Sequence, residues 1–333
     1  MEIKRLEDNK SQKTFEVAVP VIETEKYFEL AAKNLSNRFS INGFREGNAP
    51  FNIVVKEIGE QESYKEVINL ILNAFLPKFF IEQENLNTLG EPEVEVLKIA
   101  PKNPFIFKIT IALYPEFTIP SLKDIKIKTK KVSASDKEVD NSLEYLKKIR
   151  KAEKIDDKFA QSLGNFKNID ELKKSMKSGI EKDKEQIEKN QNRIKVLENV
   201  SKKIKIDIAP ILIKRESYVI LNQHKDQITK SGIKWDEYLG KIKKTEYELV
   251  EEQKNLAKMK IVNSLLLAKL AKDNNIKVEH NEIEEQLEAV LKEYGITKEN
   301  TPKDINIKQL KSNIFQKILN EKIFTQILDK YII

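Results

Sequence analysis

Residues 43–50 read Gly43-Phe44-Arg45-Glu46-Gly47-Asn48-Ala49-Pro50. Two glycines and a proline in so short a span make a structured loop. Glycine takes backbone conformations closed to other residues, and proline fixes its own. Phe44 is a large apolar side chain at the tip of that loop, and Arg45 beside it can pair with phosphate or carboxylate. On a rigid loop, an aromatic next to an arginine makes a docking anchor. The same residues equally fit a loop whose Phe44 folds back into its own domain and whose Arg45 is incidental. Local chemistry keeps both readings open.

The flanking sequence frames the loop. Upstream, 14–20 alternates Phe15, Val17 and Val19 with smaller or polar residues, the period of a half-buried strand. Over 25–38 the apolar residues Phe28, Leu30, Ala31, Leu35 and Phe39 recur at three-to-four spacing, which predicts a helix with these residues on its buried face. Downstream, a second helix is expected over 62–83, with Val67, Leu70, Ile71, Ala74 and Phe75 inside. Gly90-Glu91-Pro92 ends it. Two strands over 94–99 and 104–114 form a hairpin, with Phe105, Phe107, Ile109 and Ile111 alternating. The order β-α-α-β-β predicts a compact α+β domain over 1–115.

Beyond it, 116–134 reads as an extended connector, in which Ile125, Ile127 and Thr129 alternate with Lys126, Lys128 and Lys130. From Ser135 onward the pattern is helical. Ser135 and Glu138 have the spacing of a capping box, and Asn168 offers a second helix start, with a long helix running to about 203. Pro210 suits the first turn of another helix. Further helices are expected at 234–242, 246–273, 281–294 and 307–331. The fold class is therefore an α+β N-terminal domain followed by a mainly α-helical C-terminal domain over 135–333.

Composition supports helices with charged outer faces. Of the 333 residues, 40% are hydrophobic and 34% charged, against a typical quarter, and Gly (9) and Pro (10) are scarce for a β-sandwich or barrel. Net charge is +7, with −4 over 1–120 and +11 over 121–333. A basic total suits a polyanionic partner or a merely solvated surface. Cysteine is absent, which excludes disulfides, thiolate metal sites and a Cys nucleophile. His224 and His280 are the only histidines, too few for a His zinc site or a Ser-His-Asp triad. His224 reads as a helix-surface residue and Trp235 as a packed corner between helices. Glu282, Glu284, Glu285 and Glu288, near His280, read as a solvated helix face. Neither a phosphate-binding loop nor a dinucleotide fingerprint is present. No cofactor or metal is expected. Met1–Lys10 has no signal-peptide core and no apolar run spans a membrane, so a cytoplasmic location without membrane contact is expected.

Gly43-Phe44-Arg45-x-Gly47-x-x-Pro50, between two helices of a β-α-α-β-β domain, resembles the ribosome-docking signature of the trigger factor family. Ile206-Asp207-Ile208-Ala209-Pro210, before a helix, resembles the start of that family's arm region. The resemblance implies an ATP-independent chaperone that docks at the ribosomal tunnel exit and shields nascent polypeptides. The implied partners are a large-subunit tunnel-exit protein, nearby RNA and unfolded nascent chains, and a homodimer off the ribosome is compatible with it. The family's associations with cell division and protein transport come with the same resemblance. The implied docking residues are Gly43, Phe44, Arg45, Gly47 and Pro50, with Arg38 and Lys33 near the loop. Ile211, Ile213, Tyr218, Tyr238, Tyr247, Phe315 and Phe324 are the candidates for an apolar substrate surface.

Two departures from the family pattern are visible. Its prolyl-isomerase domain, expected near 150–156, has no room here, since such a fold needs about 100 residues. The helix from Ser135 passes almost directly into Ile155-Asp156-Asp157-Lys158-Phe159. No catalytic residue is therefore assigned, although the family name carries isomerase activity as an alternative. Second, the usually basic variable positions of the signature are Glu46 and Asn48. Each lost phosphate contact lowers the salt slope of RNA binding by about 0.9. Docking then rests more on protein contact through Phe44 and Arg45, and a free cytosolic holdase is the alternative. A nucleic-acid-binding module in the basic half is a rival, against which the lysines lie scattered among glutamates without interleaved aromatics. An export chaperone is a further variant.

Overall fold

The structure is a computed structural model that describes residues 1–83, 86–297, 300, 302 and 305–333. It divides into two compact units, one of residues 1–117 with 205–261 and the other of 118–204 with 262–333. The expected division at 115 and 135 follows the sequence order, whereas packing draws 205–261 to the N-terminal domain.

In the first unit, β1 (Glu2–Asp8), β2 (Gln12–Val19), β3 (Glu93–Lys98) and β4 (Phe105–Ala112) form an antiparallel sheet in the order β1-β2-β4-β3. β1 is absent from the expected order, which begins with the strand at 14–20. Six of its seven side chains are exposed and only Ile3 is half-buried, so its sequence carries almost no alternation; it forms because β2 offers a free edge. The hairpin of β3 and β4 is as expected, with Val94 opposite Ile109 and Val96 opposite Phe107.

Two long helices cover one face of this sheet. α1 (Val21–Arg38) starts four residues earlier than expected because Pro20 supplies its N-cap position. α2 (Phe51–Ile58) starts after Pro50 and was absent from the expected order; Gly59, at φ 103°, separates it from α3 (Glu60–Glu82). Phe15, Phe75, Phe79, Phe105 and Phe107 are all at most 1% exposed and form the centre of the core. Phe15 meets Phe79 edge-on at 5.2 Å, the arrangement that aromatic quadrupoles favour.

After the second unit's first stretch the chain returns with α7 (Pro210–Lys230), α8 (Trp235–Ile242) and α9 (Glu246–Asp273), the last running on beyond residue 261. α7 is fixed to the sheet. Its Ile211 packs with Ala112 and Ala209, Lys214 pairs with Glu93 at 3.1 Å, and Arg215 donates to the Glu91 carbonyl at 2.9 Å.

The second unit is built on α4 (Asp136–Arg150), α5 (Asp157–Leu163), α6 (Ile169–Ser201), α10 (His280–Glu293) and α11 (Ile307–Ile323). α11 ends in a π turn at Phe324–Leu328 and a 3-10 turn at Asp329–Tyr331, not in an unbroken helix to 331. The capping box forms: the Glu138 N–H donates to the Ser135 hydroxyl, and Glu138 accepts the Ser135 N–H. Lys184, 2.7 Å away, and then the Ser135 N–H and hydroxyl hold the Glu138 carboxyl down to about 2. Asn168 caps α6 through the Glu171 N–H. Val196, Leu197, Val200, Leu266, Leu270 and Ile323 make the core of this unit, with Ile125 of the connector added to it. Among the described residues no helix is long and apolar enough to cross a membrane.

Candidate functional site

Loop 41–50 consists of two successive tight turns. The Phe44 N–H donates to the Ile41 carbonyl at 3.2 Å, and the Asn48 N–H donates to the Arg45 carbonyl at 3.0 Å. Gly43 (φ +82°) and Gly47 (φ +76°) each hold the third position of their turn, where a type II turn needs positive φ. Ile41 and Ala49, each 4% exposed, fasten the two ends of the loop into a small core with Ala32, Leu35 and Val54. The base is therefore rigid while the tip is not packed. Phe44 is 42% exposed, and Arg45 is exposed without an ion pair among the described residues. Phe44 does not fold back into its domain.

The glycines differ in what they exclude. A Cβ at Gly47 would stand 2.8 Å from the Asn37 Oδ1, whereas one at Gly43 would meet nothing within 4 Å. Gly43→Ala is expected to cost about 1 kcal/mol for its left-handed backbone, and Gly47→Ala about 2 kcal/mol because Asn37 must also give way. Thermal melting of the two variants checks the order.

Lys33 is exposed beside Gly47. Arg38 is not free. Its guanidinium pairs with Glu66 at 2.7 Å and ties α1 to α3. Glu66 also accepts from Asn34 at 2.8 Å; that bond first, and Arg38 after it, holds its carboxyl below the ordinary range. Arg38 is thus held by the packing of α1 on α3. Phe39, expected on the buried stripe of α1, is 46% exposed next to the loop. It stands at the C-cap position with extended backbone, where the helical period no longer directs it inward.

A second feature of the first unit is a cavity of about 780 Å³ between the outer face of the sheet and the helices α7 and α9. Leu6, Thr14 and Thr110 line it from the sheet, and Ile213, Tyr218 and Tyr247 from the helices. Tyr218 is 42% and Tyr247 69% exposed. The cations that line it are paired, Lys108 with Glu95 at 3.1 Å, Lys214 with Glu93 at 3.1 Å and Lys254 with Glu251 at 2.7 Å, while Glu7 accepts hydrogen bonds from Gln12 and Thr14. Such a surface suits apolar side chains and a neutral peptide backbone.

Three of the seven candidate substrate residues thus meet in one place. The other four do not add to an open surface. Ile211 touches the cavity but is 6% exposed, held in the contact between α7 and the sheet. Tyr238 stacks on Trp235 at 5.3 Å. Phe324 is packed into the core of the second unit and covered by the Arg193 guanidinium at 4.8 Å. Phe315 is half-buried on α11. His224 is no simple surface residue: its ring meets the edges of Trp235 and Tyr238 at 6.1 and 5.3 Å, and its Nε2 lies 3.4 Å from the Tyr238 hydroxyl. Trp235 is the packed corner expected of it, 8% exposed. Leu6, a cavity residue that the sequence did not single out, lies on β1, which has no pattern of its own to reveal it.

Two family models match the chain. Bacterial trigger factor protein matches residues 1–146, and bacterial trigger factor protein C-terminus matches residues 168–329. Residues 147–167, between them, hold only the end of α4, a turn and α5, too short for a further domain. Among similar proteins, the trigger factor of Caldicellulosiruptor saccharolyticus is 23% identical over 83% of this chain and 85% of its own length. That of Agathobacter rectalis is 20% identical over 89% of this chain and 88% of its own. A solved structure from work on promiscuous substrate recognition in folding and assembly activities of the trigger factor chaperone has the same fold. It aligns at TM-score 0.53 and 18% identity, covering 99% of this chain and 100% of that one. With its N- and C-terminal parts both matched, in order, the chain belongs to the trigger factor family.

Proposed function

We propose that this chain is an ATP-independent chaperone that docks at the ribosomal tunnel exit through Phe44 and Arg45 and shields nascent polypeptides on the surface lined by Ile213, Tyr218 and Tyr247. The observation that carries the docking half is an exposed aromatic beside an unpaired arginine on a loop fastened at both ends. Preorganised anchors of this kind lose little conformational entropy on binding. The cavity carries the shielding half, because exposed tyrosines among cations already held by carboxylates accept varied apolar segments. The proposal places the protein in the cytoplasm and assigns it no isomerase step.

One observation favours a second reading, a free holdase with weak ribosome contact. Arg38 is committed to Glu66, and Glu46 stands exposed beside Arg45, so the loop offers little charge to RNA.

Two assays separate these. Wild type is expected to pellet with bacterial ribosomes and to delay aggregation of a denatured client on dilution. Tyr218→Ser with Tyr247→Ser is expected to weaken the delay several-fold and to leave pelleting unchanged. A delay without pelleting favours the holdase, and a wild type that does neither refutes both readings.

A further inference from the structure

The connector of the second unit carries a feature that neither docking nor shielding uses. The Ile127 N–H donates to the Tyr331 carbonyl at 2.9 Å, and the Ile127 carbonyl accepts from the Ile333 N–H at 2.8 Å. The Thr129 N–H donates to the Ile333 carbonyl at 2.7 Å. These bonds form a parallel bridge between Ile127 and Ile332 and hold the connector extended. Ile125 is buried and Ile127 half-buried in the core below. Lys126, Lys128 and Lys130 are consequently exposed on the other face. None of them forms an ion pair among the described residues. Asp124 is the one carboxylate side chain on this stretch of connector, and Glu188 takes the Lys130 backbone N–H at 3.2 Å.

In an extended strand, alternate residues stand about 6.6 Å apart. That is the scale of the spacing between consecutive phosphates along one nucleic-acid strand. The row is held by backbone bonds at Ile127 and Thr129, so its cations do not have to be gathered on binding. The positive excess of the chain also lies in this unit, since residues 1–117 with 205–261 hold slightly more carboxylates than cations. A bilayer needs no such regular spacing, and it favours apolar residues beside the lysines, which the exposed face of this strand lacks.

From these observations we infer that the strand of Lys126, Lys128 and Lys130 is a phosphate track that binds an RNA strand without sequence preference. It is separate from loop 41–50 and does not depend on that loop's role.

The test uses the full chain and a fluorescent single-stranded RNA of mixed sequence, read by anisotropy at several salt concentrations. Lys126→Gln, Lys128→Gln and Lys130→Gln are combined, and Lys148→Gln, Lys151→Gln and Lys158→Gln form a charge-matched control on exposed positions of the same unit. Removing three phosphate contacts is expected to reduce the salt slope by about 2, at about 0.7 per contact on a single strand, and to weaken binding at least tenfold at low salt. The control is expected to keep the wild-type slope, and both variants the wild-type melting temperature. Equal losses in the two variants would show diffuse attraction and overturn the track. So would the absence of wild-type binding, or tighter binding to vesicles containing phosphatidylserine than to the RNA. Ribosomes are not used, so failure here is distinct from failure of tunnel-exit docking.

Discussion

The Phe44→Ala, Arg45→Ala double variant is expected to remain in the supernatant when wild type pellets with ribosomes. Anchors at the centre of an interface cost about 2–4 kcal/mol each when truncated, so loss of both corresponds to at least a 100-fold weaker affinity. The fold is not at risk. Phe44 is 42% exposed, Arg45 has no partner among the described residues, and the loop is held by Ile41 and Ala49 instead. Circular dichroism and melting of the variant should therefore match wild type. A variant that pellets as well as wild type would remove the loop from the docking mechanism, and one that melts early would show that the tip is structural after all. Glu46→Lys is the complementary change. It is expected to strengthen pelleting and to steepen its salt dependence by about 0.9 for each further phosphate that the new lysine neutralises on a duplex.

Arg193→Ala is expected to be strongly destabilising in the second unit. The guanidinium is 6% exposed and donates to Glu321 at 2.7 and 2.9 Å and to Asp329 at 2.9 and 2.7 Å, with Phe324 against its face at 4.8 Å. These contacts fasten the last turns of the chain to α6. Removing one member of a buried ionic cluster costs about 3–5 kcal/mol, because its partners lose their counter-charge. Glu321 is more than half exposed and recovers water, which places the expected cost near the lower end, at about 3 kcal/mol. Melting should fall by about 6–12 °C.

The same cluster sets an acid limit. Arg193, first through its hydrogen bonds and then through its charge, holds the carboxyls of Glu321 and Asp329 below their ordinary values. A depressed carboxyl contributes stability that is present above its unfolded value and is lost as pH falls through its folded value. The gap in melting temperature between wild type and Arg193→Ala should therefore be widest at neutral pH and narrow from about pH 4 downward. A gap independent of pH would show that the loss is one of packing.

Local chemistry was enough to read several parts of this protein from its residues. Ser135 and Asn168 start helices because their side-chain oxygens satisfy backbone donors three residues ahead. The hairpin of β3 and β4 follows from strict alternation, and the loop from two glycines at positions that need positive φ. Such signals are complete within a few residues. They located the loop and, through its motif and the order of elements around it, the family. Exposure of Phe44 was not among them, since an aromatic at a loop tip has the same local pattern whether it points inward or out.

What the sequence by itself determined is thus the helix starts at Ser135, Asn168 and Pro210, the hairpin, the turn chemistry of loop 41–50 and the motif that marks the family. Only the tertiary structure decided that β1 is a strand, because its backbone pairs with β2 and its mostly exposed side chains carry no pattern. It also decided that Arg38 is spent on Glu66, that Ile211 is core while Tyr218 and Tyr247 stay open, and that 205–261 packs with the N-terminal domain. β1 depends on a strand 5 to 16 residues away, and the others on partners tens to hundreds of residues away. A side chain's environment is set by whatever the completed fold brings against it, and no short window of sequence contains that information.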